Sequence, residues 1–268
     1  MDRPACVPFS VVAALRPAGH TPAVTDAIWA CGSLEGLRRP TVAIVGTRAA
    51  TAYGKSLARR FAGDLGAAGC CIVSGLALGI DTAAHQGALD AGALTIGVLG
   101  GGHDRFFPPR NRSLAERMIA AGGAVLSPFP PDHPAYPSQF LQRNGIVAAL
   151  ADAVVVIEAP ARSGALNTAG WAAGRVPVFA VPGDVDRAHV AGCHALIRDG
   201  AILARTPQDV ADDLHLRSIE PARASRAEKD NETADPLQRR LLGLLRGGEQ
   251  TLEDLLRETG EAPGAVLA

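Results

Sequence analysis

The chain has 268 residues and a formal charge of -1, with 26 Lys and Arg against 27 Asp and Glu. That balance excludes a uniformly basic coat for nucleic acid, so a polyanion site has to be a local patch where charge is clustered. Apolar residues make up 47%, enough for a sizeable core, and aromatics only 4%, which argues against an extensive base-stacking platform.

Five cysteines (Cys6, Cys31, Cys70, Cys71, Cys193) form no CxxC and no metal-ligand spacing. An odd number in a chain of this size reads as a reduced, cytoplasmic protein with no structural metal. The first residues lack the basic-then-apolar pattern of a secretory signal, and no window approaches the ~20 apolar residues of a membrane span. A soluble protein with no membrane partner is expected.

Residues 1–40 are weakly patterned and broken by Pro4, Pro8, Pro17 and Pro22, so they read as a short irregular lead-in. From Thr41 to about Leu214 short apolar runs alternate with amphipathic stretches. The runs, Val42–Val45, Cys71–Val73, Leu94–Leu99, Ala124–Leu126, Ala153–Ile157, Val178–Val181 and Ala201–Leu203, have the composition of strands buried on both faces. Between them the periodicity predicts helices over Tyr53–Ala67, Asp81–Ala91, Arg110–Ala121, Ser138–Leu150, Leu166–Gly174 and His194–Asp199. Strand–helix alternation of this kind specifies an α/β fold, a Rossmann-like doubly wound and mostly parallel sheet, over 41–214. Residues 215–235 have the polar, mixed-charge composition of a linker. Over 236–268 one helix is predicted at Pro236–Leu245 and a second at Thr251–Arg257, with a third begun at the last residues. This is a truncated, winged-helix-like segment to which no DNA contact is assigned.

In an open parallel sheet ligands bind beyond the carboxyl ends of the strands. The loops there are Gly46-Thr47-Arg48, Ser74-Gly75, the Gly100–Gly102 turn with Arg110-Asn111, and Arg162-Ser163-Gly164. Small residues let backbone N–H groups approach a ligand, and the helix N-termini that follow favour negative charge. Arginine and hydroxyl donors add to both, so these loops point to an anion site and most simply to phosphate. Two nucleotide motifs fail. Gly54-Lys55-Ser56 would need glycine where Ala49 stands, and Gly46 is followed by Arg48 where GxGxxG needs its second glycine. No cofactor is expected. Asp81 and His85 at i, i+4 are a candidate acid–base pair, but Asp at a helix start is more often a first-turn residue. No catalytic residue is assigned.

Taken in order, the loops resemble the DNA-processing protein A (DprA/Smf) family. The resemblance rests on Ala43–Arg48 with Tyr53-Gly54, Ile72–Asp81 with Ala84-His85, Pro108 with Asn111, and Phe140 with Arg143-Asn144. It continues through Val155–Glu158, Ser163-Gly164, Phe179–Gly183 and Leu196–Ala201. It implies a Rossmann-like homodimer without catalytic activity. Such a protein binds and protects single-stranded DNA and loads the RecA recombinase in natural transformation. Carried over by position, Gly46, Thr47, Arg48, Ser74 and Gly75 line the phosphate crevice. Arg110, Asn111, Arg143 and Asn144 flank it, and Ser163 joins from the loop after the fifth run. Two departures stand out. Gly145 replaces the family's arginine, with Arg105 or Arg162 as possible substitutes for the lost cation, and Ser127-Pro128 replaces serine-glutamate. The alternative is a nucleotide-processing phosphoribohydrolase of the lysine-decarboxylase-like type. Its Pro-Gly-Gly-x-Gly-Thr turn is absent here, since Pro182-Gly183 is followed by Asp184.

Overall fold

The computed structural model describes residues 3–16, 25–216, 237, 240 and 252–260. The chain divides into two compact units, Met1–Ile219 and Glu220–Ala268. Among its described residues the first holds nine strands: β1 (Ala5–Pro8), β2 (Ala27–Gly32), β3 (Thr41–Val45), β4 (Cys71–Ser74), β5 (Thr95–Val98), β6 (Ala124–Ser127), β7 (Ala153–Val156), β8 (Val178–Ala180) and β9 (Ile202–Leu203). They form one sheet in the order β1-β2-β6-β5-β4-β3-β7-β8-β9. From β6 to β9 every pairing is parallel. The Rossmann-like α/β class read from the apolar runs is the class observed.

Side-chain alternation sorts the sheet into two cores. Ala43, Val45, Cys71 and Val73 join one cluster, while Val42, Ile44 and Ile72 join the other. Helices α2 (Ala52–Ala67) and α3 (Ile80–Asp90) cover the second face, together with α8 (Pro207–Asp213). The first face is covered by α1 (Phe9–Ala14), α5 (Pro137–Ala149), α6 (Gly164–Ala172) and α7 (Ala191–Arg198). Helix α4 (Arg112–Ala120) lies on a third cluster with Leu76, Leu99 and Val125. The order reverses between β3 and β7. Successive strands step from β3 to β6 on one side and from β7 to β9 on the other, which opens a crevice at the carboxyl ends of β3 and β7.

The irregular lead-in expected over residues 1–40 is corrected. β1 pairs antiparallel with β2, and β2 antiparallel with β6, so this segment extends the sheet. The proline that ends β1 does not oppose that. Pro8 stands immediately before α1, where a missing N–H costs nothing, and β1 is an edge strand. Helix α8 also went unread. Thr206 and Asp209 form a capping box around it, the Asp209 carboxylate accepting from the Thr206 N–H at 2.9 Å.

The expected linker lies outside the described residues beyond Leu216, as does the first C-terminal helix apart from Leu237 and Arg240. The second is observed as α9 (Leu252–Thr259), and the Arg240 guanidinium donates to the Glu258 carbonyl at 2.7 Å, a cation at a helix C-terminus. The third falls outside the described residues. Among the described residues no helix is long and apolar enough to cross a membrane.

One buried ion pair ties the N-terminal segment to the sheet. Arg16, 6% exposed, donates to Asp152 and to the Thr41 hydroxyl, while the other Asp152 oxygen accepts from the Thr41 N–H at 2.8 Å. Removing one partner of such a pair leaves the other charge buried and unmatched. Asp152→Ala is expected to cost about 3 kcal/mol in urea unfolding, and adding Arg16→Met to that variant should recover part of the loss. Additive losses would place the pair's contribution elsewhere.

Candidate nucleic-acid interface

The crevice at the reversal point has a volume of about 590 Å³. Its rim comes from Gly46–Ala49 after β3, Gly75 and Ala77 after β4, and Pro160 and Arg162–Ala165 after β7. The opposite wall is the start of α5, with Pro137, Phe140 and Arg143, together with Phe107 and Ala135. Among the lining residues are three arginines, Arg48, Arg143 and Arg162, against one carboxylate, Asp81. The N-terminal turns of α3, α5 and α6 all contribute, so their dipoles add to that positive bias.

Below the opening lies a closed hydrogen-bond junction. The Asp81 carboxylate accepts from the N–H groups of Gly75 at 3.1 Å and Ala77 at 3.3 Å, which fixes the loop after β4. Arg143 is 4% exposed and donates to the carbonyls of Gly75 and Val98, with Nε on the Asn144 side chain at 3.3 Å. Burial pushes the Asp81 carboxyl up from its ordinary range, and the neighbouring Arg143 charge opposes that shift. Arg143 is itself lowered to about 10, chiefly by burial and opposed by Asp81. Glycine at 75 is a space requirement: a Cβ there would sit 2.5 Å from the Arg143 Cζ. At Gly46 a Cβ would meet Ile80 at 2.5 Å and the Glu158 carbonyl at 2.8 Å. The loop after β3 is pinned to β7 by the Thr47 N–H, which donates to that same carbonyl at 2.7 Å.

Of the ten residues expected at the site, seven line the crevice: Gly46, Thr47, Arg48, Gly75, Arg143, Asn144 and Ser163. They divide by task. Arg48 is exposed, and its guanidinium lies 5.0 Å from the centre of the Phe140 ring. Asn144 Nδ2 donates to the Gly164 carbonyl at 3.1 Å, and the Ser163 hydroxyl caps α6 by accepting from the Ala165 N–H at 3.2 Å. Ser74, Arg110 and Asn111 are not on the lining. The Ser74 hydroxyl donates to the Ile44 carbonyl at 2.7 Å inside the core, because strand β4 runs one residue further than its apolar run. Asn111 is buried and donates to the Leu76 carbonyl at 2.8 Å, clamping the loop from behind, while Arg110 points to solvent.

The Gly100–Gly102 turn is not on the crevice lining. A Cβ at Gly100 would lie 2.6 Å from Phe140, and one at Gly102 only 2.2 Å from the carbonyls of Pro130 and Pro131. These glycines admit the chain that forms the far wall. Asp81 and His85 do not hydrogen-bond to each other either. The His85 Nδ1 meets the Thr95 hydroxyl at 2.7 Å, and the imidazole is fully buried.

Sequence reasoning gave no role to Phe107, which is 47% exposed and tilted against Phe140 at 5.9 Å between centroids. An apolar pair, Phe106-Phe107, in a loop without periodicity was the available signal. It also gave none to Glu158, whose buried carboxylate accepts from the Thr51 N–H at 3.0 Å and so seats the start of α2. Gly145 does not face the crevice; a Cβ there would lie 3.2 Å from the Trp171 indole. Arg162 lines the crevice and Arg105 does not.

Residues 14–215 match the family model described as DNA recombination-mediator protein A. The chain belongs to that family. Among curated relatives, a DprA homologue of Mycobacterium tuberculosis is 40% identical over 260 residues, covering 94% of this chain and 65% of its own length. The DprA of Streptococcus pneumoniae is 43% identical over 185 residues, covering 67% and 63%. The chain thus spans less than two thirds of these relatives' length. Among solved structures, S. pneumoniae DNA processing protein A aligns with a TM-score of 0.69 at 34% identity, over 79% of this chain and 74% of that one. The Helicobacter pylori protein, whose structure concerns its single-stranded DNA binding mode, aligns with a TM-score of 0.65 at 30% identity, over 73% and 93%. The resemblance carried by the loops is therefore a true family relationship.

His85 supplies a pH test of the junction. Burial, reinforced by the Arg143 charge, lowers its pKa from 6.5 to about 3. The unfolded chain takes up a proton that the folded chain refuses, so the His85 contribution is present above 6.5 and lost as pH falls toward 3. Comparing wild type with His85→Gln by urea unfolding at several pH values should show wild type losing up to ~1.4 kcal/mol more per pH unit across that window. Parallel curves would remove His85 from the account.

Proposed function

We propose that this chain binds single-stranded DNA by its backbone in the crevice between β3 and β7. It acts there as a non-enzymatic recombination mediator that protects incoming DNA and loads RecA in the cytoplasm during natural transformation. The observation that carries the reading is the placement of exposed Arg48 over Phe140 at the mouth of a crevice with three arginines and one carboxylate. Arginine forks suit phosphate, and an aromatic face beside them suits an unstacked base of any sequence. Family membership and the single-stranded DNA binding reported for the H. pylori relative support the same substrate.

The non-enzymatic part is supported by the polar groups that hydrolysis would need. The Asp81 and Glu158 carboxylates spend their hydrogen bonds on backbone and side-chain groups of the protein itself, and His85 is buried with Nδ1 on the Thr95 hydroxyl. Homodimerisation is proposed through the late part of the domain, Val178–Leu203. There the edge strand β9 presents Ile202 and Leu203 at 40% and 44% exposure.

Labelled oligothymidine should bind wild type with an affinity that falls steadily with salt, because released counterions drive association. Arg48→Ala should lose at least ~1.5 kcal/mol and reduce the salt slope by ~0.7, the value of one single-strand phosphate contact. Equal binding by wild type and variant would reject the crevice as the site.

A further inference from the structure

A second cavity of about 580 Å³ lies on the same carboxyl edge of the sheet, beyond β6 toward β2. Its walls carry Trp29 from β2, His103 and Asp104 after β5, Asp132 after β6, and Arg3 and Arg112. It shares a partition with the crevice. His103 and Asp104 face the second cavity while Phe107, on the same loop, faces the first; Asp132 and Ala135 divide in the same way. The two loops are laced together, with the Gly102 N–H donating to the His133 carbonyl and the Asp104 N–H to the Pro131 carbonyl, each at 2.8 Å. The two cavities are therefore held in fixed relation.

The chemistry of the two differs. The crevice is net cationic, whereas here two guanidinium groups face two carboxylates. A phosphate alone gains little from that balance, but a base edge rich in N–H donors gains acceptors. Trp29 is partly exposed and offers an aromatic face, and the Arg112 guanidinium is held 5.3 Å from the centre of the Phe106 ring. His103, 2% exposed, also lines the cavity. Its Nε2 lies 3.0 Å from the Val125 carbonyl and must carry the proton, which leaves Nδ1 as a buried acceptor with no protein partner. Burial lowers its pKa and keeps the ring neutral.

We propose that this cavity is a base pocket for the strand held in the crevice. It takes a nucleobase bearing an exocyclic amino group, stacked on Trp29, with the amino group donating to Asp104 or Asp132. Arg112 and Arg3 meet the flanking phosphates. Thymine has no such amino group and is discriminated against. The inference rests on the DNA-binding reading, and it adds a base preference and a longer footprint to a site otherwise blind to sequence.

Trp171→Phe leaves Trp29 as the sole tryptophan, since the chain has two. Trp171 lines neither cavity. In that background, Trp29 emission and the anisotropy of labelled oligonucleotides are followed together. The probes are oligothymidine, the same length with cytidines at either end, and free cytidine monophosphate. One of the two cytidine-ended probes should bind about tenfold more tightly than oligothymidine and quench Trp29. Asp104→Asn with Asp132→Asn should abolish that preference and leave oligothymidine binding unchanged. Equal binding of all oligonucleotides with Trp29 unmoved overturns the base pocket and leaves the DNA reading standing. Failure of every oligonucleotide to bind overturns both. Quenching by free cytidine monophosphate as strong as by the oligonucleotides marks a mononucleotide site and overturns the shared strand.

Discussion

The junction between Asp81 and Arg143 is the constraint on which the crevice depends. Asp81 and Arg143 lie under the sheet's carboxyl edge without a direct ion pair between them, and each is anchored to backbone groups of the loop after β4. A buried carboxyl or guanidinium is tolerated only if its hydrogen-bonding capacity is filled. Here that capacity is filled by Gly75, Ala77 and Val98, which fixes the loop's path and forces glycine at 75. Everything above the junction inherits its position from it. That includes the start of α3, the base of α5 and the guanidinium that gives the floor its charge.

The parallel strands and their helices follow from pattern alone, because strands covered on both faces must be continuously apolar. Thr41–Val45 is buried at every position and reads as such. The N-terminal strands escape that logic. β1 is a short edge strand ending in proline, and its burial is slight, so no apolar run announces it. Arg16 holds the segment through a contact with Asp152 more than a hundred residues away, which no local pattern encodes.

The crevice was half visible in the same sense. Loops with glycine, hydroxyl and arginine at strand ends point to an opening on which the loops after β3, β4 and β7 converge. What the residue types did not separate is contact from support. Ser74 and Asn111 have the chemistry of phosphate ligands and use it on the protein, whereas Phe107 has none and stands at the mouth. The Gly100–Gly102 turn teaches the same lesson. Glycine marks a close approach, but the approaching group is the chain's own segment around Pro130–Phe140. Low aromatic content is compatible with this arrangement. The chain's few aromatics include Phe107 and Phe140, which stand beside one arginine-lined opening.

The most direct test of the central claim is to locate bound DNA on the protein. A photo-crosslinkable oligothymidine is irradiated with wild type, and the adducts are mapped by mass spectrometry. The account predicts adducts in the peptides carrying Arg48, Phe107 and Phe140, lost on competition with unlabelled strand. Adducts confined to residues 220–268, or spread without competition over the surface, would contradict it.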